Sequence, residues 1–121
     1  MDEKIAQALA QDRVIDITTI GRKTGQPRRI EIWFHRWTGR YYITGMPGRR
    51  SWYANMLTNP DFTFHLKGSA QADLPARARP ILAEAERRET LTGLLQNMER
   101  MDALDEWLTQ SPLVEIEFLS V

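Results

Sequence analysis

The stretch Thr18-Thr19-Ile20-Gly21-Arg22-Lys23-Thr24-Gly25-Gln26-Pro27-Arg28-Arg29 decides how this chain is read. β-Branched residues run up to Ile20, two glycines frame a turn, and Pro27 opens a return strand that begins with a basic pair. Four cations, Arg22, Lys23, Arg28 and Arg29, fall within eight residues, beside donors from Thr24 and Gln26. Glycine lets the backbone approach a ligand closely, and successive N–H groups in such a turn form a concave nest for an anion. The stretch therefore predicts a hairpin carrying an anion cradle, with Lys23, Thr24, Gly25, Arg28 and Arg29 as its contacts. A merely solvated hairpin loop is the competing reading. The spacing is neither that of a P-loop nor that of the dinucleotide fingerprint.

Working outward, Arg13 to Ile20 is expected to form the first strand, preceded by a short amphipathic helix over residues 3–11 with Ile5, Ala8 and Leu9 on one face. Arg28 to Trp37 alternates, with Ile30, Ile32 and Phe34 on one face and Arg29, Glu31 and Trp33 on the other. Thr38-Gly39 is a hairpin signal, and Arg40 to Gly45 is the next strand. A helix is predicted over 50–58, with Ser51 as its N-cap and Asn59-Pro60 as its stop. Asp61 to Lys67 and Ser69 to Pro80 read as strands, with Pro75 marking a bulge or an edge. Residues 82–109 switch to helical period, as two helices broken near Asn97 to Asp102, before a last strand from Leu113 to Leu119. About six antiparallel strands with flanking helices predict an α+β fold, a small closed or split β-barrel, as one domain over residues 1–121.

Charge narrows the partner class. Sixteen basic residues balance sixteen acidic ones, so no global field favours nucleic acid or an anionic membrane. Residues 21–50 nevertheless hold Arg22, Lys23, Arg28, Arg29, Arg36, Arg40, Arg49 and Arg50 against Glu31 alone. That imbalance predicts a local anion site. The absence of cysteine excludes disulfides, thiol catalysis and cysteine-ligated metals. Neither a signal peptide nor an apolar run of roughly 20 residues is present, so a cytoplasmic protein with no transmembrane segment is expected.

A second element is Gly45-Met46-Pro47-Gly48-Arg49-Arg50-Ser51-Trp52, a strand-to-helix junction whose helix N-terminus favours negative charge. Trp33, Trp37, Tyr41, Tyr42, Trp52 and Tyr53 make the central third rich in aromatics, which suit planar ligands as well as core packing. Trp33 stands out because it shares a strand face with charged residues. His35 and His65 lack a carboxylate cluster at ligand spacing, so no metal site is expected, and no Ser-His-Asp arrangement follows from the spacing.

Taken together, the series from Thr18 to Arg28 and the later Trp52-Tyr53-Ala54-Asn55-Met56-Leu57-Thr58-Asn59-Pro60 resemble the deazaflavin-dependent nitroreductase family of split-barrel flavin/deazaflavin oxidoreductases. The resemblance spans roughly residues 13–80. It implies a six- or seven-stranded split barrel of the pyridoxamine-phosphate-oxidase type, coenzyme F420 as cofactor with FMN as the alternative, and hydride transfer to a quinone, an enone or a nitro compound. Residue by residue, it implies that Lys23 and Arg28 hold the cofactor's phosphate or acidic tail, and that Trp52 and Asn55 flank it. Gly45, Met46, Gly48 and Arg49 would meet the ring system, and Trp33, Met46 and Trp107 would wall the acceptor. Barrels of this size often pair, so a homodimer is expected. Two other readings stay open: an FMN-dependent reductase, and a barrel that binds a cofactor or a lipid without turnover.

Overall fold

The computed structural model describes residues 2–45 and 50–119. Helix α1 (Glu3–Gln11) leads into β1 (Val14–Ile20), β2 (Pro27–Trp33), β3 (His35–Trp37) and β4 (Arg40–Thr44). Helix α2 (Ser51–Thr58) follows, then β5 (Asp61–Lys67) and β6 (Gln71–Pro80). Helix α3 (Glu84–Asn97), a 3-10 turn (Met101–Ala103), α4 (Leu104–Gln110) and β7 (Leu113–Phe118) complete the order.

All seven strands join one antiparallel sheet in the order β2-β1-β5-β6-β7-β4-β3. The two edge strands, β2 and β3, are neighbours in sequence, separated only by Phe34. A flat sheet of seven strands cannot place its two edges one residue apart, because strands are about 4.8 Å apart. The sheet must therefore curl until its edges meet, which is the split barrel. Phe34 fastens the seam: its N–H donates to the Arg13 carbonyl at 2.9 Å, and its ring packs edge-on against Phe64 at 5.2 Å. Phe64 in turn meets Phe118 edge-on at 5.2 Å, so aromatic rings fill the middle of the barrel. Ile15, Ile17, Ile43, Phe62, Leu66 and Ile116 complete the filling.

A second core lies outside the barrel, where α3 and α4 cover Tyr42 and Leu113 with Leu91, Leu94, Leu95 and Trp107. Gly93 permits this approach. A Cβ at that position would overlap the Trp37 indole.

Two expectations need correction, and the strand number and Pro75 are made more definite. The single strand expected from Arg28 to Trp37 is two strands, because Phe34 must turn into the core as the chain changes edges. The sheet consequently has seven strands, within the six or seven that the resemblance implies. Ser51 is the first residue of α2 rather than its N-cap; extended Arg50 holds that position, without a side-chain cap. Pro75 marks no bulge, since the β5–β6 register runs unbroken through Thr63↔Pro75, and it stands where β6 loses its second neighbour, because β7 pairs only from Ala76 onward. Its carbonyl accepts from the Leu119 N–H at 3.0 Å, so its ring nitrogen faces the place where β7 ends and no ladder donor is needed.

Candidate functional site

The β1–β2 turn is built by its own hydrogen bonds. Gly21 N–H donates to the Gln26 carbonyl at 2.8 Å, and Gly25 N–H donates to the Gly21 carbonyl at 2.9 Å. Gly25 takes φ +69, the left-handed conformation that glycine adopts without a Cβ penalty. Thr24 Oγ1 accepts from the Gln26 N–H at 3.2 Å. Helix α2 supplies the remaining anchor. Asn55 Oδ1 accepts from the Arg22 N–H at 3.1 Å, and Asn55 Nδ2 donates to Thr19 Oγ1 at 3.1 Å.

These bonds change the sequence reading. The N–H groups of Gly21, Arg22, Gly25 and Gln26 are committed to protein acceptors, which leaves those of Lys23 and Thr24 as the turn's open backbone donors among the described residues. Beside them it presents side-chain charge. Lys23 and Arg28 line a cavity of about 580 Å³ together with Thr19, Thr24, Trp52 and Asn55. Among the described residues neither Lys23 nor Arg28 has a side-chain hydrogen bond or an ion pair. Two uncompensated cations beside an indole have the chemistry to receive an anionic, planar molecule. Arg22, Ile30 and Ser51 also line it, and the sequence did not single them out as contacts. Their signal was available: Ile30 shares the parity of Arg28 along β2, and Ser51 precedes Trp52.

Asn55 lies in the wall but is only 5% exposed, and both ends of its amide are bound to protein. It holds the turn in place. Arg29 lies on the opposite face of β2, paired with Asp16 at 2.9 Å, and lines no part of the cavity. Asp16 also meets Lys67 at 2.8 Å; hydrogen bonds from Lys67 first, then from Arg29, hold its carboxyl below the usual value. Gly25 is absent from the lining because it shapes the turn from outside. The Gly45 carbonyl faces Ser111, whose Oγ is 3.4 Å away, and does not reach this cavity. Met46, Gly48 and Arg49, expected at the ring system, lie outside the described residues.

Trp33 and Trp107, expected to wall the acceptor together with Met46, line neither this cavity nor its neighbour. Trp107 is buried in the second core against α3. Trp33 sits at the far end of the β1–β2 hairpin, opposite Val14 in the register. Instead, a larger cavity of about 910 Å³ adjoins the first and shares Arg22 and Ser51 with it. Tyr53, Leu57, Leu82 and Pro112 give it apolar walls. Its Arg87 is occupied, donating to the carbonyls of Ile81, Trp107, Leu108 and Ser111 at 2.8–3.4 Å.

The sequence also gave no sign of a hydrogen-bonded chain on the outer face of the barrel. His65 Nδ1 meets Asp73 Oδ1 at 2.7 Å and its Nε2 meets Thr18 Oγ1 at 2.7 Å. It touches neither cavity, and it ties β1, β5 and β6 together.

Comparison with known proteins follows the same lines. The profile of the F420H(2)-dependent quinone reductase family matches residues 1–104. A conserved hypothetical protein of Mycobacterium tuberculosis has a similar structure, with a TM-score of 0.75 at 17% identity over 98% of this chain and 81% of that one. An F420-H2 dependent reductase, FDR-A, superposes with a TM-score of 0.61 at 23% identity, over 88% of this chain and 95% of that one. The heme storage protein HutZ of Vibrio cholerae gives a TM-score of 0.68 at 14% identity, over 99% and 91%. At these identities the superpositions speak for a shared fold.

Proposed function

The chain belongs to the F420H(2)-dependent quinone reductase family, and from that premise we propose that its 580 Å³ cavity holds reduced F420 and its 910 Å³ cavity the molecule that is reduced. The observation that carries the reading is the pair of uncompensated cations, Lys23 and Arg28, facing a cavity walled by Trp52. F420 is a planar ring bearing a phosphate and carboxylates, so the charges and the flat wall suit it. The FMN phosphate would suit the same cations, and FMN is the second cofactor to test.

The bound deazaflavin supplies the hydride; the chain supplies position and electrostatics. Lys23 and Arg28 hold the anionic part by charge-assisted hydrogen bonds. Asn55 keeps Arg22 and Thr19 in register with α2, which fixes where those cations stand. Trp52 packs edge-on against Tyr53 at 5.9 Å and forms a rigid side of the ring pocket. Tyr53, Leu57, Leu82 and Pro112 give the adjoining cavity the apolar surface that a quinone, an enone or a nitroaromatic compound would bury. No side chain is asked to act as the base.

Strand β2 is exposed along both faces, and Ile30 is an apolar side chain at the cavity rim. We take the working form to be a homodimer in which a second copy covers Ile30. Sedimentation velocity tests this; a monomer at assay concentration overturns it.

The functional reading is tested by following the absorbance of reduced F420 with purified protein and a soluble naphthoquinone. Enzyme-dependent oxidation supports it. Tight binding without turnover would instead mark a cofactor-binding barrel.

A further inference from the structure

The β1–β2 hairpin has a second end. Its register runs from Ile20↔Pro27 beside the first cavity to Val14↔Trp33, six residues away. At about 3.3 Å per residue the two ends lie roughly 20 Å apart. There, where the barrel seam meets the C-terminal end of α3, a separate cleft of about 240 Å³ is lined by Arg13, Trp33, His35, Asn97 and Met98, with Phe34 and Leu94 as its floor.

The chemistry of this cleft is one-sided. Arg13 and Arg36 bring two cations and no lining residue is acidic. Arg36 is already engaged: its Nη1 donates to the carbonyls of Leu9 and Asp12, each at 2.7 Å. The nearby Asp12 carboxylate is taken up by Ser69, through the Ser69 N–H at 3.2 Å and its hydroxyl at 2.8 Å. That leaves the Arg13 guanidinium, the Trp33 indole N–H, the Asn97 amide and the His35 ring. None of these four has a hydrogen-bond partner among the described residues. Burial first, then the charges of Arg13 and Arg36, push the His35 pKa down, so the ring is neutral and keeps one donor and one acceptor nitrogen. Trp33 is 53% exposed, although a large indole gains by being covered. Three donors without a protein partner and a positive charge, all open to solvent, are therefore gathered above an apolar floor.

We propose that this cleft is a second binding site, separate from the cofactor cavity, for a small planar carboxylate with an apolar body, such as an aromatic acid. The carboxylate would take the Arg13 and Asn97 donors, and the ring would lie between the Trp33 indole and Met98. The size fits: a cavity of about 150 Å³ already admits benzene, which leaves this one room for a carboxylate. A nucleotide is too large for it, and a bare phosphate would leave the apolar floor unused.

The test follows the Trp33 indole N–H resonance while the intact protein is titrated with benzoate, and with benzamide as the uncharged counterpart. A saturable shift with benzoate and none with benzamide is expected. The shift should weaken at least about tenfold in Arg13→Gln, which loses the charge, and in Asn97→Asp, which sets a carboxylate against the ligand. Arg28→Ala, which weakens the cofactor cavity, should leave it unchanged, so this proposal and the cofactor reading fail separately. No saturation by tens of millimolar, an equal response to benzamide, or a shift that survives Arg13→Gln overturns the site. So does movement of the Trp33 signal on dilution alone, which would show that a second copy covers the cleft.

Discussion

Replacing Asn55 with alanine separates two roles that the sequence runs together, touching the cofactor and holding the turn. Asn55 accepts from the Arg22 N–H at 3.1 Å and donates to Thr19 Oγ1 at 3.1 Å, with a weaker contact from Arg22 Nη1 at 3.4 Å. Each neutral hydrogen bond contributes about 1 kcal/mol net. The Arg22 N–H can regain water at the cavity, whereas Thr19 is buried and cannot easily do so. Asn55→Ala should therefore destabilise the protein by about 2 kcal/mol. For a chain of this length that lowers Tm by about 8 °C. With the anchor gone, the turn carrying Lys23 must be ordered when the cofactor binds, and each residue so fixed costs about 1–2 kcal/mol. A loss of affinity of about tenfold or more follows from one such residue. The assay pairs thermal unfolding by circular dichroism with titration of oxidised F420 by fluorescence. Unchanged stability with reduced affinity would mean that Asn55 acts by contact, and would refute the anchoring argument. Unchanged values in both measurements would remove Asn55 from the site altogether.

Other perturbations test other parts of the account. Gly93→Ala pushes a methyl into the Trp37 indole and should cost about 1–3 kcal/mol by overpacking, read as a lower urea midpoint. Arg87→Ala strips donors from four carbonyls around the end of α4. A destabilisation of about 3 kcal/mol is expected in the same assay. The pH profile should follow Asp16, whose carboxyl is held below its ordinary 3.8 by Lys67 and Arg29. A carboxylate depressed on folding stabilises above its unfolded value and loses that contribution as pH falls through the folded value. Acid titration should therefore weaken the wild type below about pH 4. Asp16→Asn should start less stable and show a shallower acid limb, whereas an identical limb would contradict the assignment.

Much of the barrel could be read from alternation, because Ile15 and Ile17, Phe62 and Phe64, and Val114 and Ile116 each mark an inward face. The break at Phe34 was hidden, since Ile30, Ile32 and Phe34 keep perfect period-two spacing across it. Only the sheet order, which is not a local property, shows that the chain changes edges there. The cation site was half legible. Strand parity puts Arg28 with Ile30 on the inner face and Arg29 with Glu31 on the outer one, so the parity already separated them, although the basic pair was read as one unit. Trp107 packs in the second core, a placement the sequence could not show because a helix that meets both a sheet and another helix leaves no mark of which aromatic it buries. The role of Asn55 depended on a partner 33 residues earlier in sequence, and no local pattern announces such a bond.

The central claim is that Lys23 and Arg28 hold an anionic deazaflavin, and the most direct measurement is fluorescence titration of oxidised F420 with wild type and with the Lys23→Ala/Arg28→Ala double variant. The wild type should quench the cofactor at micromolar concentration. The double variant loses two charge-assisted contacts, each contributing at least about 1.5 kcal/mol, and should bind about a hundredfold more weakly while its circular dichroism spectrum and Tm stay close to wild type. Equal affinity in the two proteins, or no quenching of F420 by a folded wild type, would contradict the account.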